Sequence, residues 1–313
     1  MPQSQRYSLE HLQIQTEDGI VLPGLWYTPT QKDSQTACIF LHGCGNASIF
    51  YKVDKMHLFA ERLAEQGIHF FPFNNRGATY VRKLTRIVEG EEQEVKIGTA
   101  LEKISDAVFD ISAAVEEARA RGMKRIILIG ESTGANKIVV YNHYQPNNPV
   151  DAYVLVGGGD DMGLWAQSFG FDQWRKVLEN AQQKVANGEG THFLSIDATD
   201  SLLTYQALVD VLDPDGDYNT FPFTEHFRQE KWSTKPLFHM WSEVTKPTLV
   251  LYGSEDIFCI EQPSNVIQVF AEHESPNAQN SYKVIAGADH SFHEEPHTEI
   301  GEVITWWSKT KIA

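Results

Sequence analysis

Apolar residues recur along the chain at two spacings, and the spacing changes where glycines fall. Residues 11–16 alternate in strand fashion, Glu17-Asp18-Gly19 supplies turn chemistry, and residues 20–27 return, which predicts a hairpin. Residues 37–41 form an unbroken apolar run that stops at His42-Gly43-Cys44-Gly45. Residues 54–66 place Met56, Phe59, Leu63 and Ala64 on one helical face, and residues 68–73 form another short apolar run, ended by Asn74-Asn75-Arg76-Gly77. The strongest helical signal is Leu101, Ile104, Val108, Ile111, Val115 and Ala118, at steps of three and four, closed by Gly122. A strand at 125–129, a helix at 135–144 and a strand at 152–156 ending in three glycines come next. Residues 248–252 and 282–285 read as two more buried strands, and residues 299–309 as a terminal helix carrying Trp306 and Trp307.

Strands that are apolar throughout and alternate with helices imply an α/β protein: a mostly parallel central sheet covered by helices on both faces. From about residue 160 to 244 that rhythm breaks. This stretch is rich in aromatics (Trp165, Phe169, Phe171, Trp174, Phe221, Phe223, Phe227, Trp232, Trp241) and shows helical patterns without an obvious buried strand. No Gly/Ser/Pro linker brackets it. The expectation is therefore a core of residues 1–159 and 245–313, with residues 160–244 inserted as a helical cap. The acidic run at 89–94 reads as a solvated loop between sheet and helix. No period of 20 to 50 residues repeats, which argues against a solenoid.

Composition narrows the possibilities further. The 313 residues are 42% hydrophobic and 22% charged, as in a packed globular chain. Lys+Arg number 26 against 42 Asp+Glu, a net charge of −16, which repels nucleic-acid phosphates and anionic membranes. Three cysteines, Cys38, Cys44 and Cys259, suggest neither a disulfide framework nor a four-ligand zinc site. The first residues contain no apolar leader core, and no 18-residue uncharged apolar run occurs, so no membrane span is expected. A cytoplasmic protein is the default expectation; a secreted chain with its leader trimmed would read the same. His293-Glu294-Glu295-Pro296-His297 matches H-E-x-x-H, but Pro296 denies that motif the helix it requires. No metal or organic cofactor is expected.

Gly130-Glu131-Ser132-Thr133-Gly134 lies between a strand and a helix. G-x-S-x-G occurs by chance in many chains, but in a strand–turn–helix context it has a mechanical reason. The sharp reversal holds the serine in a strained conformation above the sheet edge, and the glycines let strand and helix approach. A serine hydroxyl needs a base, and the base needs an orienting acid. Among twelve histidines, His290 sits on the loop just past the last apolar strand, at the edge where active sites of open α/β sheets form. His293 and His297 are further from the strand end, and His42 reads as structural. For the acid, Gly253-Ser254-Glu255-Asp256 follows another strand; Asp256 is preferred, Glu255 is the fallback, and Asp160 or Asp161 is a second possibility.

The order nucleophile, acid, histidine, together with the elbow, resembles the α/β-hydrolase superfamily over about residues 10–160 and 245–310. His42-Gly43-Cys44-Gly45 is similar to that family's H-G-x-G turn. The resemblance implies an oxyanion hole made by the backbone amides of Cys44 and Thr133. Asn74 stands where the family usually has Asp, and Glu131 where His or Gln is commoner. The implied function is hydrolysis of a carboxylic ester of a small or medium-sized substrate by Ser132, His290 and Asp256. Trp165, Phe169 and Trp174 are the candidate pocket walls. The same triad would serve a thioesterase or a small peptidase, and a hydrolase-like receptor that binds without turnover is the rival from a different class.

Overall fold

The computed structural model describes residues 6–196, 201–293 and 296–310. Its centre is an eight-stranded sheet in the order β1-β2-β4-β3-β7-β8-β11-β12. Strands β1 (Tyr7–Gln15) and β2 (Val21–Pro29) form the expected antiparallel hairpin, and β2 pairs antiparallel with β4 (Ile68–Phe73). From β4 onward the neighbours are parallel: β3 (Thr36–Leu41), β7 (Arg125–Glu131), β8 (Ala152–Val156), β11 (Thr248–Gly253) and β12 (Asn280–Ile285).

Alternate side chains of one inner strand enter different cores, which is why the inner strands are mostly apolar; β12, at the sheet edge, is half-buried or exposed except at Ile285, so it is not the buried strand expected at 282–285. Ala37, Ile39 and Leu41 of β3 join the cluster under α2 (Ala107–Ala120), α3 (Thr133–Tyr144) and α9 (Pro263–Glu272). Cys38 and Phe40 join the cluster under α1 (Val53–Glu65) and α10 (Pro296–Lys309). Helices thus cover both faces, as the patterning predicted.

Three further elements differ from the pattern. The acidic run at 89–94 is not a loop: β5 (Arg82–Val88) and β6 (Glu91–Ile97) form a separate hairpin. Glu89 and Gly90 turn it with φ of 52° and 86°, the positive angles a two-residue hairpin turn needs. The helix expected from Leu101 begins as α2 at Ala107, after a 3₁₀ turn at Ile104–Asp106. The stretch between β8 and β11 holds α4 (Asp161–Phe169), α5 (Trp174–Ala186), α6 (Tyr205–Leu212), α7 (Phe223–Arg228) and α8 (His239–Ser242). It also holds a strand pair, β9 (Phe193–Ile196) and β10 (Ser201–Thr204), where no strand was expected.

Candidate active site

Ser132 caps α3 directly after β7, with φ 58° and ψ −134°. A non-glycine residue at that φ is strained, and it persists because its surroundings over-determine it. The Ser132 amide donates to the Val156 carbonyl at 2.8 Å, and its own carbonyl accepts from Ala135 at 2.8 Å. A Cβ on Gly130 would come 2.3 Å from the Gly134 carbonyl oxygen, and one on Gly134 would come 2.5 Å from that of Leu41. Both obstacles are backbone atoms that cannot yield, so the two glycines are steric requirements of the turn.

Asp256 and His290 are brought together from the loops after β11 and β12, adjacent strands in the sheet. His290 Nδ1 lies 2.8 Å from both Asp256 carboxylate oxygens, so the ring donates from Nδ1 and its Nε2 is turned away from the acid. Asp256 is buried, and its Oδ1 also accepts from the Phe258 amide at 3.0 Å. The Phe258 ring meets the imidazole edge-on, with centroids 4.8 Å apart. Gly157 leaves the pair room: its Cβ would stand 3.2 Å from His290 Nδ1 and 3.3 Å from Asp256 Oδ2.

The other acids are placed elsewhere. Glu255 is exposed. Asp160 caps α4, accepting from the Gly163 amide at 2.7 Å, and also accepts from the Thr224 amide at 2.5 Å. Asp161 is buried at the cavity wall, where burial above all pushes its carboxyl up to about 7. His42 is enclosed, and burial, then the Lys137 charge, lowers it to about 3, so it is a neutral ring donating from Nδ1 to the Gly43 carbonyl. His293 is exposed and pairs with Asp289 at 2.7 Å. Glu294 and Glu295 of the H-E-x-x-H match lie outside the described residues. Pro296 opens α10, so His293 precedes that helix and does not share it with His297. No group of metal-ligating side chains is found among the described residues.

Ser132 and His290 line one cavity of about 580 Å³, together with Gly43, Cys44, Glu131 and Asp161. A Cβ on Gly43 would come 3.1 Å from Ser132 Oγ, which puts the turn after β3 against the nucleophile position. Thr133 is the first residue of α3, and the first amides of a helix have no partner within it. The Cys44 thiol is pushed up to about 12, chiefly by burial and further by the Asp161 charge, so it stays protonated.

Of the three aromatics expected at the wall, Trp165 lines the cavity. Phe169 is stacked on Trp165 at 6.1 Å, and Trp174 is buried in the core against Trp232 at 5.3 Å; neither is a lining residue. Leu203, Ala207, Val211 and Tyr218 complete the wall from the stretch between β8 and β11. Glu102 also lines it and is paired with Lys137 of α3, with oxygen and nitrogen 2.6 Å apart. The sequence reading missed all five. Only the α6 pair had a signal, the helical spacing of Ala207 and Val211.

A mostly parallel sheet wrapped on both faces, with a serine elbow after β7, defines an α/β hydrolase. The family model described as serine aminopeptidase, S33 matches residues 32–297, and the chain belongs to that family of hydrolases. No curated protein sequence matches it. Among solved structures it is similar to Est1E from Butyrivibrio proteoclasticus with ferulic acid bound, at 14% identity, over 95% of this chain and 98% of that one, with a TM-score of 0.60. It is also similar to the Pyrococcus furiosus esterase Pf2001, at 16% identity, over 99% and 94%, with a TM-score of 0.55. Carboxylesterase CesB (YbfK) from Bacillus subtilis matches at 12% identity, over 97% and 93%, with a TM-score of 0.54. At such identities the likeness is one of fold. Among the described residues no helix is long and apolar enough to cross a membrane.

Proposed function

We propose that the protein hydrolyses a carboxylic ester of a small or medium-sized molecule through a Ser132–His290–Asp256 triad. The observation that carries this is that His290, paired with Asp256, lines the same cavity as a serine in an elbow conformation. His290 takes the Ser132 proton as Oγ attacks the ester carbonyl, and Asp256 fixes the imidazole tautomer and stabilises its cation. The amides of Cys44 and Thr133 receive the oxyanion. His290 next protonates the leaving alcohol and activates the water that releases the acid. Residues 160–244 act as a cap, with Trp165, Leu203, Ala207, Val211 and Tyr218 supplying part of the cavity wall. The esterases among the structural neighbours support the choice of ester.

Ser132→Ala is expected to abolish p-nitrophenyl butyrate hydrolysis and labelling by a fluorophosphonate; a variant that keeps its turnover would refute the triad. The family's description favours one second reading, an aminopeptidase on the same residues. Aminoacyl anilides assayed beside aliphatic esters decide between them, since a higher kcat/KM on the anilide selects the peptidase.

A further inference from the structure

Behind the proposed relay, ionic groups converge that the mechanism above does not use. Glu131 is the residue before Ser132, and Ser291 is the residue after His290. Between them stands Lys55 of α1. Its Nζ donates to Glu131 Oε2 at 2.6 Å and to the Ser291 carbonyl at 2.8 Å, and lies 2.8 Å from Glu299 Oε2 of α10. Lys52 pairs with Glu131 Oε1 and donates to Ser291 Oγ at 3.1 Å. The side chains of Lys55, Glu131 and Glu299 are 9%, 5% and 0% exposed.

Enclosed ions cost several kcal/mol each to desolvate, and apolar side chains of the same volume often hold a fold as well or better. As a device for joining α1 to α10, this cluster is therefore expensive. Its placement gives it another use. An ammonium has three donors pointing in different directions, and here they meet the residue before the nucleophile, the residue after the base, and an anchor in the last helix. Burial raises the Glu299 carboxyl above its ordinary range. Glu131 is held well below its own against the same burial penalty by Lys55 and Lys52, so the ammonium and the elbow carboxylate remain ionised together.

We propose that Lys55 is a positioning residue, which ties the serine elbow to the histidine loop through Glu131 and the Ser291 carbonyl and so keeps Ser132 and His290 in register. This rests on the reading of those two residues as nucleophile and base. A misplacement of about 1 Å between reacting groups can cost on the order of 100-fold in rate; Lys52 bridges the same two loops, but its side chain is 30% exposed and solvent screens it, so the buried Lys55 is the stiffer tie.

Lys55→Met alone strands Glu299 without its cation and confounds folding with activity, so the informative variant is Lys55→Met with Glu299→Met, which replaces the buried pair by apolar volume. The measurements are thermal midpoint, kcat and KM on p-nitrophenyl butyrate, and labelling by a fluorophosphonate. The expected result is a melting temperature near the parent's, KM within about threefold, and kcat lowered by roughly 100-fold. A double variant with parental kcat overturns the proposal, because charge neutralisation was then all that Lys55 supplied. Glu131→Ala keeps the Lys55–Glu299 pair and provides the second arm: kcat should fall by roughly tenfold or more with KM unchanged, and a kcat near the parent's overturns the tie. A Ser132→Ala variant that still turns over would instead remove the reading beneath it.

Discussion

At the scale of single residues, two buried aspartates, Asp161 at the cavity wall and Asp256 behind His290, differ in what holds them. Asp256 is spent on His290 and on the Phe258 amide, whereas burial leaves the Asp161 carboxyl raised to about 7. Asp256→Asn should lower kcat by about 10⁴-fold, with Asp161→Asn within a few-fold of the parent; equal losses would contradict the assignment of the acid. Stability should separate them too. Between its ordinary 3.8 and about 7, Asp161 is protonated in the folded chain and ionised in the unfolded one, so its contribution to stability falls as pH rises through that window. Asp161→Asn removes this term. Its melting temperature should match the parent's at about pH 4 and exceed it by roughly 2–5 °C at about pH 8, and thermal scans that coincide at the higher pH would contradict the raised carboxyl. The candidate positions Ser132, Asp256 and His290 could be picked out in the sequence because each follows an apolar run that reads as a strand. Tyr218, Glu102 and Phe258 reach the same cavity from turns and loops, which have no period to read.

At the scale of elements, Asp160 joins two helices that are far apart in sequence. One oxygen caps α4 through Gly163, and the other takes the Thr224 amide in the first turn of α7. Asp160→Ala should therefore cost about 2 kcal/mol, the sum of a lost cap and a second lost hydrogen bond, measured by urea unfolding. A midpoint and slope equal to the parent's would show that neither bond matters. The buried strands and the long stripe of α2 could be read because burial on two faces or one leaves a continuous apolar trace. The β5–β6 hairpin left no such trace: all its residues but the last, Ile97, are half-buried or exposed, and charges such as the Lys83–Glu94 pair occupy its outward positions. In α9, Val266, Val269 and Phe270 give only a short stripe, and Pro263 at its start reads as a break as readily as a first turn.

At the scale of the whole molecule, the charge of −16 sets a field that a ligand meets before it meets the cavity. An anionic ester, such as a succinate half-ester, should show a kcat/KM that rises about two- to fivefold between about 10 and 200 mM NaCl as the repulsion is screened. A neutral ester of similar size should show little change, and the same response from both would place the charge away from the route of entry. The sheet has a further property, set by its strand order. Strands β8 and β11 are nearest neighbours, with Leu251 opposite Val156, so the chain departs and rejoins the sheet across a gap one strand wide. Whatever is spliced in at that seam can lengthen, shrink or be exchanged while the flanking strands keep their partners. On the proposed reading, one part of the cavity wall is in this way encoded apart from Ser132, Asp256 and His290, and a descendant could acquire a new diet by trading that part without rebuilding the rest.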